Sequence, residues 1–383
     1  MKGSHLAVLG SVLARSSLGS VVPRDVAADL HTSFIQNSCS TACTFLSAVL
    51  WGKVSLPDST VYKAQQTSLW ASQSLESAPT CRFTPTSALD VSVALLILRT
   101  VQCEFAVRGA GHAPFVGANN IDGGLTIDLT SLDSVTLTAE KTELQSLKGG
   151  GNNFGIVTRF DLATYAQGDM WGGLVQYTED HLETFVDALS HFGERQVEDP
   201  DCAAIVSFIY YQAYGINIVN LNLEGAKPVV NPALLKNFTD VPSPMKSTMR
   251  LTTLSNITDE MATGTPARFR EQFRTMAIKN SPSLMLELVA LYKAQTATIT
   301  TVKGVFPVIS FQVISTATIA QFTKNGGNPL GITTDDDTLI LISTSNRWSN
   351  AADDAAMYAM ADKSTPPPRR RRRHRGCCIR TST

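Results

Sequence analysis

Arg108-Gly109-Ala110-Gly111-His112 stands where a short apolar run, EFAVR, gives way to a Gly/Pro/Asn stretch ending at Asn120. Glycine in such a place lets backbone N–H groups approach an anion closely, because no Cβ intervenes. A diphosphate is the natural guest. His112 closes the loop, and its imidazole can point into the same cavity. The pattern is also that of an ordinary turn, so it needs support from elsewhere in the chain. A second cluster, Leu147-Lys148-Gly149-Gly150-Gly151-Asn152-Asn153-Phe154-Gly155, runs into GIVTRFDL. Three consecutive glycines mean a flexible linker, or close backbone packing against a neighbour or cofactor. The apolar run that follows favours an ordered turn. No GxGxxG and no GxxxxGK[ST] occurs, so neither a Rossmann nor a P-loop site is supported.

The elements that must position these loops are legible in part. Residues 24–77 read as mostly helical, with a turn at Pro57-Asp58-Ser59. A helix begins at Pro85, capped by Thr84 or Ser87, with Val91, Leu95 and Leu98 on one face. Glu104 to Arg108 reads as a strand. Leu125, Ile127 and Leu129 alternate with polar residues, as in a half-buried strand. GIVTRFDL, from Gly155 to Leu162, reads as a further strand. Beyond it, MWGGLVQYT, AAIVSFIYY, INIVNLNLEG, GVFPVISFQVIS and DTLILISTSNRW read as strands. HLETFVDALSHFG and ARFREQFRTMA read as helices. The fold class is α+β, a sheet with helices on one face.

In this order the two glycine motifs resemble the start and the end of the FAD-binding domain of the vanillyl-alcohol-oxidase type. The match is to its fungal, berberine-bridge-enzyme-like branch, and it covers about residues 39 to 360. The resemblance implies a two-domain FAD-linked oxidoreductase with an antiparallel-sheet substrate domain. It implies FAD held by Arg108, Gly109, Ala110, Gly111, His112, Gly117 and Asn119, and by Gly150, Gly151, Asn152, Ile156 and Val157. His112 falls where family members bond covalently to the flavin 8α-methyl carbon. Ala110 replaces the family glycine and is tolerable if its φ is negative. Gln312 and Asn328 fall where the substrate pocket is lined. The implied reaction sends a hydride from a sugar or secondary metabolite to flavin N5, with oxygen reoxidising the flavin. The catalytic base is not identified; Tyr210, Tyr211 and Tyr214 qualify only by residue type. A bond from Cys39 or Cys43 to Cys103 is also implied, beside the alternative of buried free thiols.

The chain departs from that family in its middle. It passes from Thr142-Glu143 to Leu147-Lys148 almost directly, where the family has a second flavin-contacting loop and further strands. A segment expected after SNRWSNAADDAAMYAMADK is replaced by a basic run. Lost central strands leave edges unpaired and core faces bare, and net stability is only ~5–15 kcal/mol. The expectation is poor folding or poor FAD retention. The alternative function is therefore a non-catalytic remnant, at most a binding module.

Composition narrows the rest. With 32 basic and 33 acidic residues the net charge is -1, which excludes a globally basic nucleic-acid binder. No apolar run is long enough for a transmembrane helix. The histidines lack metal-ligand spacing and no metal is expected. The partners expected are a small-molecule substrate and oxygen, with no nucleic acid and no membrane. The domain reading is a signal peptide at 1–20, a truncated FAD-binding domain with its N-terminal segment at 21–162, a substrate domain at 163–360, and a disordered basic tail at 361–383. The leader and two sequons, Asn237-Phe238-Thr239 and Asn256-Ile257-Thr258, point to secretion.

Overall fold

The computed structural model describes residues 24–135, 155–162, 165–324, 327–364 and 380–382. The signal-peptide reading, Gly150, Gly151 and Asn152 lie outside them, as does most of the basic run.

Two units follow one another. The first contains α1 (Arg24–Val49), β1 (Val54–Ser55), α2 (Thr60–Thr67), α3 (Ser72–Glu76), β2 (Cys81–Phe83), α4 (Ala88–Val101), β3 (Phe105–Arg108) and β4 (Leu125–Asp128). Its sheet order is β1-β2-β4-β3. β4 is parallel to both neighbours, so it is buried at every position rather than alternating, as parallel strands are. Ser59 caps α2 through the Tyr62 N–H. At α4, Ser87 accepts from the Asp90 N–H while the Asp90 carboxylate accepts from the Ser87 N–H, a reciprocal cap. Burial alone would raise the Asp90 carboxyl, but hydrogen bonds from Lys53 and Thr86 hold it at about 2. Val91, Ala94 and Leu98 face inward from α4. Cys39 is bonded to Cys103 and Cys43 to Cys81. The first bond was one of the implied pairings; the second was not foreseen.

The second unit is one large antiparallel sheet with helices against one face. Its elements are β5 (Met170–Thr178), α5 (Leu182–Arg195), β6 (Cys202–Tyr211), β7 (Ile216–Gly225), α6 (Lys236–Thr239), β8 (Lys246–Ser247), β9 (Arg250–Thr252), α7 (Leu254–Thr263), β10 (Arg270–Lys279), α8 (Pro282–Thr296), β11 (Phe306–Ile314), α9 (Thr316–Gln321), β12 (Leu339–Trp348), α10 (Asp354–Ser364) and β13 (Arg380–Ser382). The strand order is β13-β10-β12-β11-β6-β7-β5-β8, with β9 also on β5. Strict alternation along β11 and β12 sends Ile309, Phe311, Ile340, Ile342 and Trp348 into the helix-covered core. α5 contributes Phe185, Leu189 and Phe192, and α8 contributes Met285, Val289 and Tyr292.

Three readings are corrected. ARFREQFRTMA is not helical: residues 270–279 form β10, paired with β12 over its whole length. Its Arg, Glu and Gln residues suit a helix locally. The sheet overrides them by burying Met276 and Ile278 on one face and seating Glu271 and Phe273 on the other. Gly155 to Leu162 forms no strand; Ile156 packs on the first unit's core while Phe160 and Leu162 are exposed. The fold also runs past residue 360, since α10 continues to Ser364 with Ala361 and Ser364 buried, and residues 380–382 pair along β10.

Candidate functional site

The loop after β3 is built on a buried polar frame. Arg108 turns inward, and its Nη1 donates to Asp128 Oδ2 at 2.9 Å and to the Gln65 carbonyl. Its Nη2 donates to Ser68. The positive charge is thus paired with a buried carboxylate. Asn120 ties the loop's end to α3 through the Ser74 and Ser77 carbonyls, and it accepts from Arg82 and Thr126. Arg82 is fully buried, with Nε and Nη1 unpartnered among the described residues. Burial lowers its pKa.

On this frame the loop itself is open. Gly111 has φ +78, and a Cβ there would stand 3.0 Å from Arg108 Nε and 3.3 Å from Leu69 Cδ2, so glycine is required. Nothing lies within 4 Å of where a Cβ would stand at Gly109 or Gly117. Ala110 is not among the residues with positive φ, so the missing family glycine costs nothing there. Asn119 is buried and donates to the Ala113 carbonyl, while its Oδ1 has no described partner. His112 is exposed and stacks on Trp70, with ring centroids 4.0 Å apart and 18° between planes. An open glycine backbone, an unsatisfied amide oxygen and a stacked imidazole fit one side of a flavin nucleotide.

Trp70 links this loop to the second unit. Its ring lies 6.0 Å from that of Phe273. Its carbonyl accepts from the Arg268 N–H, Ser72 N–H donates to the Phe269 carbonyl, and Gln73 grips the backbone of Glu271 from both sides. Phe273 stands on the sheet face away from the helices. Across that face runs one in-register row: Thr275, Ser343, Ser310, Ser207, Asn220 and Gln176. Ser207 and Ser310 hydroxyls meet at 2.8 Å, and Gln176 donates to Asn220 at 3.1 Å. Such a row offers hydroxyl and amide groups to a small molecule carrying several oxygens. At the row's flank Glu271 is buried, and burial pushes its carboxyl up to about 8, with Arg347 opposing.

Gln312 lies exposed on the same face, paired with Leu341 and Ile205. Asn328 sits in a separate turn, where its Oδ1 accepts from the Leu330 N–H, and no described hydrogen bond joins it to Gln312. Ile156 and Val157 are half-buried. Tyr211 stacks on Tyr214 at the end of the β6–β7 hairpin. Trp70 and Glu271 were not foreseen. Trp70 carries no motif, and Glu271 lay within the segment misread as helix. Among the described residues no group of His, Cys, Asp or Glu could hold a metal ion. No described helix is long and apolar enough to cross a membrane.

No family model matches the chain. The FAD-dependent monooxygenase tpcD of Cochliobolus heterostrophus is 24% identical over 414 residues, covering 82% of this chain and 79% of that protein. Those aligned positions outnumber the 383 residues here, so part of tpcD faces no residue of this chain. In structure, 6-hydroxy-D-nicotine oxidase of Arthrobacter nicotinovorans matches with TM-score 0.63 and 14% identity, over 82% of this chain and 85% of that one. Berberine bridge enzyme in complex with (S)-reticuline matches with TM-score 0.59 and 11% identity, over 86% and 83%. The fold is that of the two-domain FAD-linked oxidases.

Proposed function

We propose that the chain is an FAD-linked oxidoreductase that oxidises a hydroxylated small molecule, a sugar or a secondary metabolite, with FAD as cofactor and oxygen as final acceptor. The observation that carries this reading is the exposed, stacked His112 at the end of an open glycine loop, joined through Trp70 to the polar face of the large sheet. FAD, when bound, supplies a two-electron acceptor that oxygen can reoxidise. Gly109, Gly111 and Gly117 keep the backbone N–H groups of the loop accessible to the nucleotide, and Asn119 adds an amide. His112 is the residue for a covalent bond to the flavin, and Trp70 fixes its ring plane. The row from Thr275 to Gln176 orients the substrate, and Gln312 borders it.

Secretion is part of the proposal. Two disulfides suit an oxidising compartment, and Asn237 and Asn256 of the two sequons are both exposed.

A second reading, a remnant that binds without catalysis, is favoured by a separate observation. Phe115, Val116, Phe160 and Leu162 are exposed, and the alignment to tpcD is longer than this chain. Acid precipitation of the purified chain separates the two. Flavin colour in the pellet, lost in His112→Ala, supports the covalent oxidoreductase. Colour in the supernatant alone supports FAD without the histidyl bond. No flavin in a soluble, folded chain supports the remnant.

A further inference from the structure

Glu271 is 5% exposed, yet its carboxylate accepts no hydrogen bond among the described residues. A carboxyl so enclosed is costly to ionise, and such groups cluster where chemistry is done. The backbone around it is fixed: Gln73 Oε1 accepts from its N–H at 3.2 Å, and Gln73 Nε2 donates to its carbonyl at 2.9 Å. Directly opposite on β12 stands Arg347. Its guanidinium carbon lies 4.9 Å from the centre of the Phe269 ring and 4.7 Å from that of Phe306. Arg347 Nη1 donates to the Gly264 carbonyl, and its buried Nε has no described partner. Two residues along β10 on the same face is Phe273, which touches Trp70 and so adjoins His112.

We propose that Glu271 accepts the proton of the bound substrate's hydroxyl group, with Arg347 as the cation facing the oxygen left behind. The proton passes from the hydroxyl oxygen to a Glu271 carboxylate oxygen, and the O–H electron pair stays on the substrate oxygen. The surrounding rings of Trp70, Phe273, Phe306 and Tyr211 suit a flat, aromatic partner. Among the described residues Arg347 is the charged group acting on Glu271, and Arg347 in turn feels Tyr211. Arg270 points to the opposite face, where it pairs with Asp354 and Glu76. The inference rests on the oxidoreductase reading for the identity of the ligand, but its test does not.

The probe is 4-nitrophenol, whose ionised form is yellow, titrated into the full chain as purified. Flavin content is measured separately. The bound probe is expected as phenolate, held at least tenfold less tightly by Arg347→Met. Phenolate affinity of the wild type should fall above about pH 8 by roughly tenfold per pH unit, because a charged Glu271 then faces a charged ligand. In Glu271→Gln, which keeps shape and removes the charge, that affinity should stay flat with pH. Binding without the pH dependence, the same dependence in Glu271→Gln, or no saturable binding by a folded wild type overturns the proposal. Probe binding by a flavin-free chain leaves it standing while counting against the cofactor reading.

Discussion

The two units of the chain are held together by different physics. The sheet unit buries one continuous apolar cluster, from Trp171 on β5 to Ala361 on α10, and its described cysteine, Cys202, is unbonded. The first unit buries far less. Its cluster is centred on Leu46, Phe83, Leu98, Leu125 and Ile127, and it is crossed by two disulfides. Beside that cluster it encloses Arg82, Arg108, Asn120 and Asp128. Small cores do not remove enough apolar surface to hold a fold alone, and cross-links make up the difference. The glycine loop thus rides on the unit least able to stand without covalent help.

Reducing both disulfides is the largest perturbation expected. Each bond is worth ~2–5 kcal/mol, so the first unit should unfold while the sheet unit's thermal transition survives. A single unchanged transition would break the contrast. Next is Phe311→Ala, which empties the middle of the large core and should cost ~3–5 kcal/mol, read by denaturant unfolding with the disulfides intact. Asp128→Asn tests the polar core of the first unit. It strips the partner from buried Arg108, and such losses run to ~3–5 kcal/mol. An effect below ~1 kcal/mol would mean that water reaches the pair.

Stability against pH sharpens the contrast from the other side. Folding raises the Glu271 carboxyl from 4.5 to about 8 and the Glu224 carboxyl to about 7, both through burial. The folded state therefore holds protons that the unfolded state has lost. Stability should be full below about 4.5 and decline as pH rises toward about 8. Glu271→Gln should flatten the upper part of that decline in the sheet unit's transition. The smallest effect expected is Ser87→Ala, which removes the side-chain cap of α4 and should cost ~1 kcal/mol, confined to the first unit.

The sequence spoke clearly where local chemistry and tertiary structure agree. Ser87, one of two cap candidates, does cap α4, although the helix starts at Ala88 and not at Pro85, and the alternation of DTLILISTSNRW announces β12. It misled where partners decide. REQFRTMAIK becomes a strand because β12 pairs with all of it, and that one misreading hid Glu271. GIVTRFDL has strand-like residues but no described neighbour to pair with. The pairing of Arg108 with Asp128, twenty residues on, is a tertiary contact that no local pattern announces. The Cys43–Cys81 bond and the Trp70–His112 stack join residues far apart in the chain, and no spacing rule points to either.

Whether the glycine loop holds FAD is read most directly from flavin stoichiometry. The purified, disulfide-bonded chain is incubated with excess FAD, freed of unbound cofactor, and read by visible absorbance against protein concentration. One flavin per chain is expected, with a marked loss in Gly111→Val, where a side chain would press on Arg108 and Leu69. A folded wild type that retains no flavin would contradict it.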